Sequence, residues 1–212
     1  MVDQARTEFV RRRYNRFAAL YDLMENMGSG RMDEWRRQLW THAGGKILEV
    51  GTGTGRNQPC YPEGAEVTAI DLSPAMLERA RLRLEQLRRE GRLRAASVDL
   101  REMDAQAMAF PDRFFDTVLA TCVFCTVPDP VAGMREMRRV CKPDGKILLL
   151  EHMRSERRGW GSLLDALDPL TARIVGTHVN RRTMDNLAAA GIRVERVENL
   201  MLDILRLIVA RP

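Results

Sequence analysis

Between Ile47 and Gly55 the chain reads Ile-Leu-Glu-Val-Gly-Thr-Gly-Thr-Gly, an apolar run carrying one acid and then three glycines at alternate positions. Glycine accepts positive φ and lets a ligand approach the backbone closely, so this is a buried strand opening into a binding turn. The spacing narrows the ligand. A dinucleotide fingerprint needs G-x-G-x-x-G with pyrophosphate at a helix N-terminus, but here the third glycine comes one position early, at Gly55, and Arg56 fills its slot. A P-loop would need Gly-Lys-Ser/Thr after a four-residue gap, which this run does not contain. Glu49 argues the same way: a carboxylate repels a neighbouring pyrophosphate and holds a facing cation. Further along, Glu151-His152-Met153 offers a histidine that can take a proton or hold a polar group, or can serve as a hydrogen-bonded structural histidine. Cys122 and Cys125 form C-x-x-C without the second pair a zinc site needs, so packing thiols are expected and no metal.

These residues need elements to position them. Apolar periodicity predicts strands at Lys46–Gly51, Glu66–Asp71, Ala95–Leu100, Phe115–Thr121 and Lys146–His152, with helices at Pro74–Arg89 and Pro130–Val140. Ser73 and Pro74 fit the N-cap and first turn of the first helix, and Gly91 its stop. Lys142-Pro143-Asp144-Gly145 is a predicted turn. Alternating strands and helices imply a mainly parallel sheet covered on both faces. The last third predicts a helix over Gly161–Val175, another after Asn180 ending at Gly191, and strands Arg193–Val197 and Ile204–Ala210 as an antiparallel pair. Two helical stretches, Thr7–Met27 and Asp33–His42, precede the sheet. The organisation expected is an N-terminal helical cap over 1–43 on one α/β domain over 44–212.

Acid-x-Gly-x-Gly-x-Gly after the first strand resembles the first motif of class I S-adenosylmethionine-dependent methyltransferases. The likeness continues at Asp71, at Asp104-Ala105 within Glu102–Pro111, at Phe115-Asp116 opening the fourth strand, and at Lys142–Lys146 before the fifth. It implies a Rossmann-like, doubly wound sheet of seven strands, mostly parallel, with S-adenosylmethionine as cofactor. By the same resemblance, Asp71 accepts hydrogen bonds from both ribose hydroxyls, Asp104 takes the adenine amino group, and an adjacent backbone amide meets the ring. The implied cofactor set is Glu49, Gly51, Thr52, Gly53, Gly55, Asp71, Leu72, Asp104, Ala105 and Thr121.

With 212 residues, 45% of them hydrophobic, the chain fits one domain with a full core. Its apolar runs are too short to span a bilayer. Met1–Arg13 lacks the apolar segment of a signal peptide, and four irregularly spaced cysteines make a poor disulfide framework, so a reduced, cytoplasmic protein is expected. Net charge is +5, and all but three of the 34 basic residues are arginines, which would suit a polyanion. Charge is unevenly distributed, however: 38–77 and 102–134 together carry −6 and the remainder +11. The acidic islands are those bearing Glu49, Asp71 and Asp104, as a pocket for a cationic sulfonium requires. No aromatic-rich basic tract accompanies the arginines, so a nucleic-acid partner is not expected.

The acceptor belongs beyond the carboxyl ends of the fourth and fifth strands. At 100° per residue, Phe9, Val10, Tyr14, Phe17, Leu20, Tyr21 and Met24 fall within about 140° of one helical face, with Arg11, Arg12 and Arg16 outside it and Arg13 inside. Such a helix either lies on an anionic membrane surface or packs on its own domain. Tyr14 and Tyr21 resemble the paired tyrosines with which related enzymes cap the cofactor and line the acceptor pocket; with His152 they form the candidate catalytic set. Cys122-Val123-Phe124-Cys125-Thr126-Val127-Pro128-Asp129-Pro130 is similar to the corresponding loop of phosphatidylethanolamine N-methyltransferases and departs from that of quinone C-methyltransferases. Glu151-His152, Leu167-Asp168-Pro169 and Gly176–Arg181 also resemble membrane-associated alkyl thiol methyltransferases. Arg181 and Arg182 are read in the first turn of a helix, opposed to its dipole, hinting at an anionic partner. The expected activity is methylation of a small or lipid-like acceptor, phospholipid amine first, with thiol S-methylation or quinone C-methylation as alternatives.

Overall fold

The computed structural model describes residues 3–27, 29–157, 159–174 and 177–212; of those, the side chains at 17, 19–27, 29, 172 and 174 lie outside the description. Its sheet is built from β1 (Lys46–Val50), β2 (Glu66–Asp71), β3 (Ser97–Glu102), β4 (Phe115–Thr121), β5 (Cys141–His152), β6 (Arg193–Met201) and β7 (Leu205–Arg211). The order is β3-β2-β1-β4-β5-β7-β6. The first five strands run parallel, and β7 pairs antiparallel with both β5 and β6. The order reverses between β1 and β4, and a crevice opens at the carboxyl ends of the strands at such a point.

Side chains alternate across the sheet as the strand period of two requires. Leu48, Val50, Val118, Ala120, Ile147 and Leu149 pack on one face, against Met134, Met137 and Val140 of α4 (Pro130–Val140) and Leu187 of α6 (Thr183–Ala189). Ile47, Val67, Ala69, Leu119, Leu148 and Leu150 pack on the other, against Leu39 and Trp40 of α2 (Ser29–Trp40) and Tyr61. Helix α3 (Pro74–Arg89) starts where expected, with the Ser73 hydroxyl accepting from Met76 N, and buries Leu77, Ala80, Leu84 and Leu87. Helix α1 (Gln4–Met27) leans on that start: Asn15 Oδ1 accepts from Ser73 Oγ at 2.6 Å and Ala75 N at 3.3 Å. Helix α5 (Trp160–Ile174) follows β5.

Three expectations are corrected. The turn at Lys142–Gly145 lies inside β5 as a protrusion: Phe115 faces Cys141 and Thr117 faces Lys146, so the extra residues loop out between ladder contacts. The helix expected after Asn180 begins only at Thr183, with Arg182 at its N-cap, because Asp168 Oδ1 accepts from both Val179 N and Asn180 N and keeps that stretch in a loop. Arg181 is therefore no first-turn residue; its Nη2 donates to Val127 O at 2.9 Å. Phe9, on the apolar arc of α1, is 62% exposed.

Asp116, at the start of β4, fastens three strands. It accepts from Lys46 N at 2.8 Å and from Lys142 Nζ at 2.5 Å, and the Lys142 ammonium holds its carboxyl below the usual range. Asp116→Ala is expected to lower stability by about 1–2 kcal/mol, the scale of a lost hydrogen-bond pair. Denaturant unfolding, with cofactor affinity unchanged, checks this.

Candidate active site

The turn after β1 is shaped by its glycines. Gly51 sits at φ +68°, and a Cβ there would come within 2.5 Å of the Val123 side chain, so this is where the β1 and β4 loops meet. Gly55, at φ +81°, seats the far end of the loop on Gln58 and the Ala80 backbone. The loop is then tied sideways to the next strand. Asp71, ending β2, accepts from Gly53 N at 2.8 Å through Oδ2 and from Ser73 N at 2.8 Å through Oδ1. Burial pushes its carboxyl up to about 6, against the pull of the amides of Ser73, Gly53 and Leu72.

An open cleft lies over these ends. It brings together Gly51, Thr52 and Gly53 after β1, Asp71 and Leu72 after β2, Asp104 and Ala105 after β3, and Thr121 at the end of β4. Tyr14 of α1 lines it as well. Thr126 and Thr177 hydrogen-bond its phenol, whose pKa burial pushes far upward. The Tyr21 side chain lies outside the described residues.

Glu49, Gly55 and His152 are not brought into this lining. Glu49 shares the face of Ile47, so it points toward α2 and is 1% exposed. Its carboxylate accepts from Asn57 Nδ2 at 2.7 Å, Thr52 Oγ1 at 3.2 Å and the Tyr61 hydroxyl, and burial raises its pKa. Through these bonds it fastens the glycine loop from behind. His152 is half-buried in β5 opposite Leu205, with Nδ1 lacking a hydrogen-bond partner and its pKa pushed down by burial. Cys122 and Cys125 are not joined in a disulfide, and no metal-holding cluster occurs among the described residues. Cys122 nonetheless lines the cleft, at φ +55°.

Several residues of the site escaped the sequence reading. Arg36 reaches the cleft from α2 and is 5% exposed, with Asp33 Oδ1 at 3.0 Å. Arg56 lines the cleft beside it. Gln106 joins three segments: Nε2 meets the Asp104 carboxylate at 3.0 and 3.1 Å and Thr7 Oγ1 at 3.1 Å, while Oε1 accepts from Asp129 N at 3.0 Å. A glutamine two residues after the acid was the available signal; for Arg36, one arginine among many in a helix, there was none.

Glu151 supports the wall from below. It is fully buried, and Oε1 accepts from Val123 N at 2.8 Å and Phe124 N at 3.2 Å. Burial raises its carboxyl from 4.5 to about 7. The native chain keeps this proton over a pH range in which the unfolded chain has lost it, so stability falls as pH rises from about 4.5 to 7 and then levels. Glu151→Gln should remove that loss, gaining on the wild type between pH 5 and pH 8 by on the order of 2–3 kcal/mol. Unfolding at the two pH values measures it.

The donor set suits one kind of ligand. Carboxylates (Asp71, Asp104) alternate with backbone amides and apolar side chains (Ile70, Met76, Met103), and Arg36 and Arg56 stand at the glycine-loop end. That mixture fits S-adenosylmethionine, with its diol, amines, sulfonium and carboxylate, and holds no phosphate cradle. A methyltransferase-domain family model matches residues 48–149. A phosphatidylethanolamine N-methyltransferase of Cereibacter sphaeroides is 38% identical over 152 residues, 70% of each chain. The human thiol S-methyltransferase TMT1B is 27% identical over 85% of this chain and 78% of its own. Among solved structures, the geranyl diphosphate C-methyltransferase of Streptomyces coelicolor, in complex with S-adenosyl-L-homocysteine, has the same fold at a TM-score of 0.67, with 15% identity over 84% of this chain and 78% of that one. By sequence likeness, fold and donor set together, the chain belongs to the class I S-adenosylmethionine-dependent methyltransferases.

Proposed function

We propose that the chain N-methylates a phospholipid amine such as phosphatidylethanolamine. The observation that carries this reading is where the acceptor-type loop falls: Thr126, Val127 and Pro128, from the segment similar to phosphatidylethanolamine enzymes, line the cleft together with Val10 and Tyr14 of α1. An amine carried on an apolar chain matches that half-apolar wall. The 38% likeness to the Cereibacter enzyme supports the same choice.

In this reading Asp71 holds the ribose hydroxyls, Asp104 and the amide after it hold the adenine, and Arg36 and Arg56 meet the carboxylate. Bound S-adenosylmethionine supplies a methyl on a sulfonium, open to in-line displacement. The chain's own task is alignment and exclusion of water. Helix α1 acts as the cap, held by Asn15 on α3, by Arg11 on Glu102 at 3.1 Å and by Thr7 on Gln106. Tyr14, with its raised pKa, keeps its proton at neutral pH and positions the acceptor nitrogen. It does not serve as a base, so the amine gives its ammonium proton to solvent before it enters the cleft and takes the methyl through its free lone pair, the positive charge passing from sulfur to nitrogen. His152 stands outside the described lining and is assigned no proton transfer.

Thiol S-methylation remains the second reading, favoured by one feature. The segment similar to thiol enzymes is bound into the fold: Asp168 takes His178 Nδ1 at 2.9 Å as well as the amides after it, and His178 N donates to Cys125 O at 3.0 Å. Incubation with labelled S-adenosylmethionine and panels of phospholipids, alkyl thiols, quinols and RNA decides between them. Label in the ethanolamine lipid is expected; label confined to thiol would overturn the first reading.

Two variants test the roles. Asp71→Ala should weaken cofactor binding by about a hundredfold, two charged hydrogen bonds' worth, with circular dichroism unchanged. Since the ionised carboxylate accepts the hydroxyls, wild-type affinity should fall as pH drops through about 6, roughly tenfold by pH 5, by calorimetry. Tyr14→Phe should keep cofactor affinity and slow transfer by about tenfold, one hydrogen bond's worth.

A further inference from the structure

Helix α5 is amphipathic in the inverted sense. Asp168 is 9% exposed and Gly161 is buried, whereas Trp160, Leu163, Leu167 and Leu170 are 47%, 48%, 42% and 56% exposed. At 100° per residue the four apolar side chains fall within an arc of about 80°, facing away from Asp168. A helix that merely packs on its domain does the reverse. The inversion has a local cause, because the Asp168 carboxylate is turned inward to bind His178, Val179 and Asn180.

The acids around this stripe are each taken up by an arginine, Glu156 by Arg206 at 3.1 Å and Asp203 by Arg206 and Arg157 at 3.6 and 4.0 Å. Asp165, the other acid of α5, is taken up by Arg154 through Nε and Nη2 at 2.8–3.1 Å. Arg157 before the helix is 59% exposed at its side chain, and Arg173 in the last turn is exposed. At the same end Arg13 of α1 donates to Arg173 O at 3.0 Å and stands over the Phe9 ring, which brings the exposed Phe9 alongside. Helix α1 itself turns Val10 and Tyr14 into the cleft. No helix among the described residues is long and apolar enough to cross a membrane.

We propose that the exposed face of α5 docks on an anionic phospholipid bilayer, its leucines and Trp160 entering the interface and the flanking arginines meeting headgroup phosphates. The face adjoins α1, the roof of the cleft, so a lipid acceptor has a short path from bilayer to Tyr14. The proposal rests on the lipid-acceptor reading for its purpose, but binding is tested without any acceptor lipid.

The probe is vesicles of phosphatidylglycerol in phosphatidylcholine, lacking ethanolamine lipid. The full chain should co-sediment with them, with a blue shift in tryptophan emission that Trp160→Phe abolishes, and should bind pure phosphatidylcholine vesicles far less. Leu163→Glu with Leu170→Glu should weaken vesicle binding by at least about tenfold, from two exposed leucines no longer buried, while S-adenosylhomocysteine still stabilises the variant thermally. A wild-type chain left in the supernatant, equal binding by the double variant, or equal binding to pure phosphatidylcholine would overturn the proposal. So would a wild-type dimer that the double variant dissolves, because a second copy would then cover the stripe. Docking without lipid methylation would sink only the acceptor reading, and methylation of detergent-dispersed lipid without docking only this one.

Discussion

The bonds from the Asp71 carboxylate to Gly53 N and Ser73 N are the constraint on which the site depends. They join the loop after β1 to the turn after β2, across the two strands beside the point where the sheet order reverses. Around them the remaining elements fall into place: Ser73 caps α3, Asn15 of α1 reaches the same serine, and the loop is closed from behind by Glu49 with Thr52, Asn57 and Tyr61. The carboxylate is held partly desolvated by design of its surroundings, which raises its proton affinity and makes hydroxyl donors welcome replacements for water.

Two further supports keep the cleft's walls at their spacing. Glu151 takes the amides of Val123 and Phe124 from beneath, so the β4 loop cannot drift from Gly51. Gln106 links the β3 loop to Asp129 and to Thr7 of α1, so roof and wall share one side chain. Charge follows the same division. Acids gather in the loops that meet a cationic cofactor, and arginines occupy the outer helices, where several are paired with neighbouring acids.

Much of this was legible in the sequence because it is local. The apolar run into Gly51-Thr52-Gly53, Asp71 at a strand end, Ser73-Pro74 as a helix start and the Pro130–Val140 helix each depend on a few adjacent residues, and each stands in the fold. What was not legible depends on parity or on distant partners. Glu49 lies two residues from Ile47, and that period alone would have placed it on the α2 face. His152 carries suitable chemistry, but its even spacing from Leu148 and Leu150 puts it on their face of β5, and it is absent from the cleft lining. Gln106 acts in part through Thr7 and Asp129, distant in sequence, Arg36 reaches the cleft from a helix that gives no local sign of it, and the exposed apolar face of α5 shows only once Asp168 is seen to face inward.

The central claim is that cofactor binds where these loops converge, beneath α1. Hydrogen–deuterium exchange with and without S-adenosylhomocysteine tests it most directly. Protection is expected in 50–57, 71–73, 103–107 and 121–124, together with the α1 segment around Val10–Tyr14. Unchanged exchange in those segments, or protection gathered elsewhere on the sheet, would contradict the account.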